Sequence, residues 1–244
     1  IRMALAEDVW APNNRSDIAT RPGNSDVRST AFSIGGTNGI VTGMLDQAAI
    51  ASAFLLAFSV AGQRHTLAQD STNPPAELTG GTNPAIGQDN LATFLNFTDG
   101  TNRGTIVLWR LRDLPQFVNA SQVRSNFTVA GTGLTSLKPG FGEIFGQRGV
   151  YFDYDQDGTI HKNRGAYTDL RDGNLITDIT TQFESFERGD QDDQVRGAKR
   201  ISDFLIVGGR DFVEFLGLTP AASKPFGRQE VPGGIGKGPM SHQG

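Results

Sequence analysis

TIVLWRLRDLPQF at residues 105–117 and DFLIVGGRDFVEF at residues 203–215 decide how this chain is read. Aligned at an offset of 98, Arg112, Asp113 and Phe117 fall on Arg210, Asp211 and Phe215, and IVLW at 106–109 falls on FLIV at 204–207. Three more pairs run in the same order. FSIGGTNG at 32–39 matches FTVAGTGL at 127–134 at an offset of 95, while GQR at 62–64 and 146–148 and NLAT at 90–93 against NLIT at 174–177 both stand at 84. Collinear matches with few changes of offset are the signature of a tandem duplication. Copy one then spans 27–122 and copy two 123–218, with an N-terminal arm at 1–26 and a Gly/Pro-rich tail at 219–244.

Each change of offset marks an insertion. Copy one is longer by 11 residues around GMLDQAAIASAF at 43–54, an Ala-rich run that predicts a helix with Asp46 as its N-cap. Copy two is longer by 14 around ERGDQDDQVRGAKR at 187–200, a charged run that reads as a solvent loop. TIVLWRL and SDFLIVG are compact apolar runs of strand length, as in a strand buried on both faces, whereas GVYFDYD at 149–155 alternates as a strand with one wet face does. After the buried strands, Asp113 and Asp211 are placed to cap a short helical turn, Phe117 and Phe215 to return an aromatic to the core, and Arg112 and Arg210 to pair with a carboxylate. The expected fold is α+β and rich in antiparallel sheet, built as two pseudosymmetric repeats.

The ends are irregular. The tail holds four Pro and six Gly without apolar periodicity, so no packed element is expected there; laid on a neighbouring subunit, it would offer Phe226 and Val231 as anchors.

Composition narrows the function. A net charge of -4 over 244 residues leaves no basic field for nucleic acid. The absence of cysteine removes disulfides, thiolate zinc sites and cysteine nucleophiles, and suits a reducing compartment. The longest apolar run, 14 residues at 48–61, falls short of the ~20 that a spanning helix needs. Sequons at Asn14, Asn96, Asn119 and Asn126 are what a chain rich in Asn, Ser and Thr yields by chance.

The sharpest local motif is DYDQDG at 153–158. Asp153, Asp155 and Asp157 at alternate positions before Gly158 are candidate calcium ligands, since such carboxylates converge on a hard cation at the start of a calcium loop. The motif then departs from that pattern, with His161 at position nine and Arg164 where a bidentate Glu is required. The other reading is a polar hairpin turn with a DG corner. His65, His161 and His242 stand in unrelated contexts, and the phosphate-binding and nucleophile-elbow patterns are missing, GGIGKG at 233–238 fitting neither phosphate pattern. The chain therefore reads as a non-enzyme without a cofactor, calcium aside.

IRMA at 1–4 is similar to the junction at which plastid transit peptides end in algae with red-lineage plastids. Together with FSIGGTNG, FTVAGTGL, the GQR blocks, RDLPQF and RDFVEF, it resembles the pyrenoid shell proteins of diatoms and related algae, over most of 27–218. That resemblance implies a plastid protein of two pseudosymmetric β-rich halves that tiles into a lattice at the pyrenoid periphery, enclosing Rubisco and retaining carbon dioxide. It brings no catalytic residues, and DYDQDG in one copy alone is a departure it does not need. The alternatives are a calcium-stabilised secreted binding module and a viral coat protein.

Overall fold

Ile106, Val107, Leu108 and Trp109 are all fully buried, and consecutive side chains of a strand point to opposite sides. Such a strand needs cover on both faces, and the fold supplies it by stacking sheets. The structure is a computed structural model that describes residues 9–10, 19–20, 33–34, 37–38, 40–47, 53–60, 62–69, 76–85, 92–98, 103–110, 113–129, 135–168, 178–179, 183–185, 194–209, 212–221 and 225–230. Two compact units divide at Gly39/Ile40. In the first, β1 (Val9–Trp10) pairs with β2 (Ala19–Thr20) and β3 (Ser33–Ile34) with β4 (Thr37–Asn38), both antiparallel.

The second unit holds four antiparallel four-stranded sheets, which we call meanders one to four. Meander one is β5 (Ile40–Asp46), β6 (Phe54–Val60), β7 (Gln63–Gln69) and β8 (Ala76–Glu77). Meander two is β9 (Thr93–Thr98), β10 (Arg103–Leu108), β11 (Gln116–Asn119) and β12 (Arg124–Asn126). Next, β13 (Thr128–Val129) pairs in parallel with β17 (Asp178–Ile179). Meander three is β14 (Leu137–Phe145), β15 (Arg148–Gln156), β16 (Thr159–Tyr167) and β18 (Phe183–Ser185). Meander four is β19 (Val195–Ile201), β20 (Phe204–Gly209), β21 (Val213–Leu218) and β22 (Phe226–Glu230). Successive meanders meet at their first strands, β5 by β9, β9 by β14 and β14 by β19, the packing order of propeller blades.

Three apolar cores fill the gaps between successive sheets. Leu55 and Ala57 of meander one meet Val107, Trp109 and Val118 of meander two. Ile106 and Leu108, on the other side of β10, meet Leu137, Tyr151 and Tyr154 of meander three. Phe141, Phe145 and Phe152 of meander three meet Leu205, Val207 and Leu216 of meander four. Fully burying one such side chain is worth about 1.5–3 kcal/mol, so these gaps hold the stack together.

The expected α+β class is corrected: the described part is all-β, with strands as the regular elements among the described residues. The helix expected at 43–54 is replaced by β5 and β6, with Asp46 as the last residue of β5; residues 48–52 lie outside the described residues. Ala-rich composition favours a helix, but Leu55 and Ala57 are fully buried on one side of β6 while Leu56, at 3% exposure, is buried on the other. Two-sided burial overrides the propensity. GVYFDYD also differs from expectation, since residues 149–154 are all buried because meander three lies between two others. SDFLIVG is covered on one side alone: Leu205 and Val207 are buried, whereas Phe204 is 45% exposed. Phe117 packs on a core as expected, but Phe215 sits on the uncovered face with Phe204. Asp113 accepts a bond from the Leu114 N–H, yet strand β11 follows it. In the tail, residues 226–230 form β22 because Phe226 finds a core site. The sequence-based boundary at 122/123 falls in the turn between β11 and β12. Among the described residues, no helix is long and apolar enough to cross a membrane.

Candidate functional site

DYDQDG forms the β15–β16 hairpin. Asp157 and Gly158 make its two-residue turn with φ of 48° and 89°, both positive as a type I′ turn requires. The Asp157 Oδ1 accepts bonds from the Thr135 hydroxyl at 2.6 Å, the Ser136 N–H at 2.7 Å and the Thr135 N–H at 3.0 Å, and these hold its carboxyl below the usual range. Asp155 accepts the Gly158 N–H at 2.8 Å, closing the turn. Asp153 lies on a bulge, where the register shifts between Phe152 and Tyr154, with φ of 48° and 3% exposure. Gln194 donates to its Oδ2 at 2.9 Å. Burial pushes the Asp153 carboxyl above its ordinary value, against the Gln194 bond and the charges of Arg110 and Lys162. The three carboxylates thus serve the loop before β14, the turn itself and the sheet interior, and the fold does not bring them together. Among the described residues, no three His, Asp or Glu side chains gather where they could hold a metal.

The histidines are separate too. His65, 6% exposed on β7, has Nδ1 2.6 Å from Glu77 Oε1, and the Asn83 amide donates to the same oxygen at 2.8 Å. Burial pushes Glu77 up, but the bonds from His65 and Asn83 and the charges of His65 and Arg124 more than reverse this, leaving it below its ordinary value. The cluster ties β7 to β8 and the loop after it. His161 packs on Tyr154 with ring centroids 5.2 Å apart; burial and Arg164 lower its pKa against the pull of Asp155. His242 lies outside the described residues.

Both GQR blocks deliver a buried arginine. Arg64, fully buried, donates Nη1 to the Trp109 carbonyl at 2.8 Å and lies over the Trp109 ring at 5.7 Å. Arg148, 5% exposed, donates Nη1 to the Thr168 carbonyl at 2.7 Å and lies over the Tyr167 ring at 5.5 Å. The hairpins differ: the first block joins β6 to β7 and ties meander one to meander two, while the second joins β14 to β15 and acts within meander three. Sequence reasoning took these blocks as repeat markers and missed the buried cations, for which the recurrence of GQR was the available signal.

RDLPQF and RDFVEF, by contrast, occupy equivalent places, each linking the second strand of its meander to the third. The offset of 98 puts Glu214 on Gln116, both buried, and Leu216 on Val118, both in cores. Gln116 accepts the Trp109 indole N–H at 3.0 Å and donates to the Thr82 carbonyl at 2.6 Å, joining meanders one and two. Residues 111–112 and 210–211 lie outside the described residues, and with them Arg112, Arg210 and Asp211.

Of the tail anchors, Phe226 is fully buried in its own chain, stacked on Phe145 at 5.8 Å and edge-on to Tyr167 at 5.2 Å. Val231 lies outside the described residues. Exposed apolar surface gathers instead on meander four, where Ile201, Phe204 and Leu218 are 56%, 45% and 57% exposed. Beside it, Phe145, Gln147, Arg200, Asp203, Phe204 and Leu218 line an open depression of about 550 Å³. This surface can bury apolar area against another surface. No protein-family model matches the chain, and no curated protein is significantly similar to it.

Proposed function

We infer that this protein is a non-enzymatic structural protein that self-assembles through its repeated sheet surfaces. The observation that carries this reading is the equivalence of meanders two and four. The chain makes the same kind of sheet twice, sheaths it on both faces once, and at the second occurrence leaves a face with Phe204 45% exposed. A contiguous exposed apolar patch marks an interaction site, and repeated surfaces let contacts propagate between molecules. The polar clusters suit a structural role, since Asp157, Glu77, Gln116, Arg64 and Arg148 each tie one segment of sheet or loop to another.

The assembly we propose is the shell that encloses Rubisco at the pyrenoid periphery in the plastid stroma, helping to retain carbon dioxide. Its support is the sequence resemblance to pyrenoid shell proteins together with the β-rich, repeated architecture. Negative-stain electron microscopy of the purified chain at physiological salt tests it, with and without a chelator. Sheets or tubes in both conditions are expected. Dispersed single particles would overturn the reading, and assemblies that dissolve on chelation would make calcium part of the contact.

A further inference from the structure

The outward face of meander four has the make-up of an internal sheet interface. Ile206 and Phe215 are cross-strand partners, Phe204 meets Phe215 edge to face at 5.9 Å, and Ile201 opposes Phe204. Gly208 and Gly217 share this face and add no side chain, and Gly217 lines the depression beside Phe204. Meander two shows what such a face receives. The offset of 98 carries Ile106 onto Phe204, Leu108 onto Ile206 and Phe117 onto Phe215. In meander two all three pack against meander three. Their counterparts in meander four are therefore an open copy of a surface that elsewhere in this chain is covered by a sheet.

We propose that a second copy of this chain covers that face with the same face, meander four against meander four about a twofold axis. The proposal rests on the self-assembly reading and names its contact. The symmetry follows from the other end of the stack. There, Leu56 and Leu67 on the distal side of meander one are 3% and 2% exposed and Phe54 alone beside them reaches 38%, whereas Ile201 and Phe204 together stand 56% and 45% exposed on meander four, so among the described residues meander four offers the larger apolar face. Both partners must then bring meander four, which is an isologous interface. The rim carries both signs, with Lys199, the cross-strand partner of Ile206 and 3.2 Å from Glu143, exposed on β19 and Asp203 exposed in the following turn, so a face meeting its own image can set Lys199 against Asp203. Two facing sheets would pack about 10 Å apart, as in a sandwich.

The 244-residue chain has no cysteine, which allows a direct test on the whole of it. Phe204→Cys places one thiol on the face, and Ile160→Cys places one at a comparably exposed site on meander three. A short bismaleimide is expected to convert the bulk of Phe204→Cys chains to covalent dimers while Ile160→Cys stays monomeric on a denaturing gel. A Phe204→Glu/Phe215→Glu double variant, with its fold checked by circular dichroism, is expected to lose the two-chain species in sedimentation. Wild-type assemblies in which Phe204→Cys does not cross-link above Ile160→Cys would overturn this contact and leave self-assembly standing. A wild-type chain that sediments as a monomer would overturn both.

Discussion

Arg64 and Arg148 show how single residues hold this fold. A guanidinium at 0% or 5% exposure is sustained by a carbonyl and an aromatic face, and hydrogen bonds to charged groups are worth about 1.5–3 kcal/mol. Arg64→Met keeps the stem and removes the bonds, so its unfolding free energy in urea titration is expected to fall by about 1.5–3 kcal/mol, and unchanged stability would refute the role assigned to it. Two carboxylates make opposite forecasts with pH. Glu77 has its folded pKa below the ordinary 4.5, so its stabilisation is present above that value and is lost as pH falls through the lower folded one. Asp153 has its folded pKa above the ordinary 3.8, so ionisation opposes folding at neutral pH, and that penalty is relieved as pH falls towards the raised value. Glu77→Gln is expected to lower the melting temperature at pH 7. Asp153→Asn is expected to raise it, because Asn tolerates positive φ and still accepts the Gln194 bond. Thermal melts at pH 7 and pH 4 check both, and the same sign for the two variants would contradict the assignment.

At the scale of elements, the sheets depend on tight turns. Gly158 has φ of 89° with open space where a Cβ would stand, so Gly158→Ala isolates the backbone effect. It is expected to cost about 1–2 kcal/mol in denaturant unfolding, the penalty for a left-handed residue, and a neutral result would argue against the type I′ hairpin. Sequence made some elements legible and not others, for physical reasons. IVLW declared itself a buried strand because four consecutive apolar residues suit two-sided cover, and DG declared a hairpin corner because few dipeptides accept positive φ twice. The run 43–54 misled because its alanines favour a helix when considered locally, whereas β6, which starts at its last residue, is held by packing of Leu55 and Ala57 on Val107 and Trp109 some 50 residues away. Tyr151 and Asp153 misled because polarity suggests a wet face, and it takes the neighbouring sheets to bury it. The spacing of the calcium motif was visible, but not that a bulge at Asp153 and the capping roles of Asp155 and Asp157 send the three carboxylates to different tasks.

At the scale of the molecule, the consequential feature is that the second unit's stack of sheets buries Leu56 and Leu67 at meander one and leaves Ile201 and Phe204 exposed at meander four. The repeat signal at offset 98 was readable from sequence and marks equivalent links in meanders two and four, whereas the offset of 84 joins GQR blocks that sit in different hairpins. That one of the equivalent sheets would be sheathed and the other open could not be read, because exposure depends on which sheet is last in the stack. Sedimentation velocity of the purified wild-type chain over a concentration series tests the resulting claim of self-assembly most directly. Species of two or more chains that grow with concentration are expected, and a single 26.2 kDa species throughout would contradict the claim.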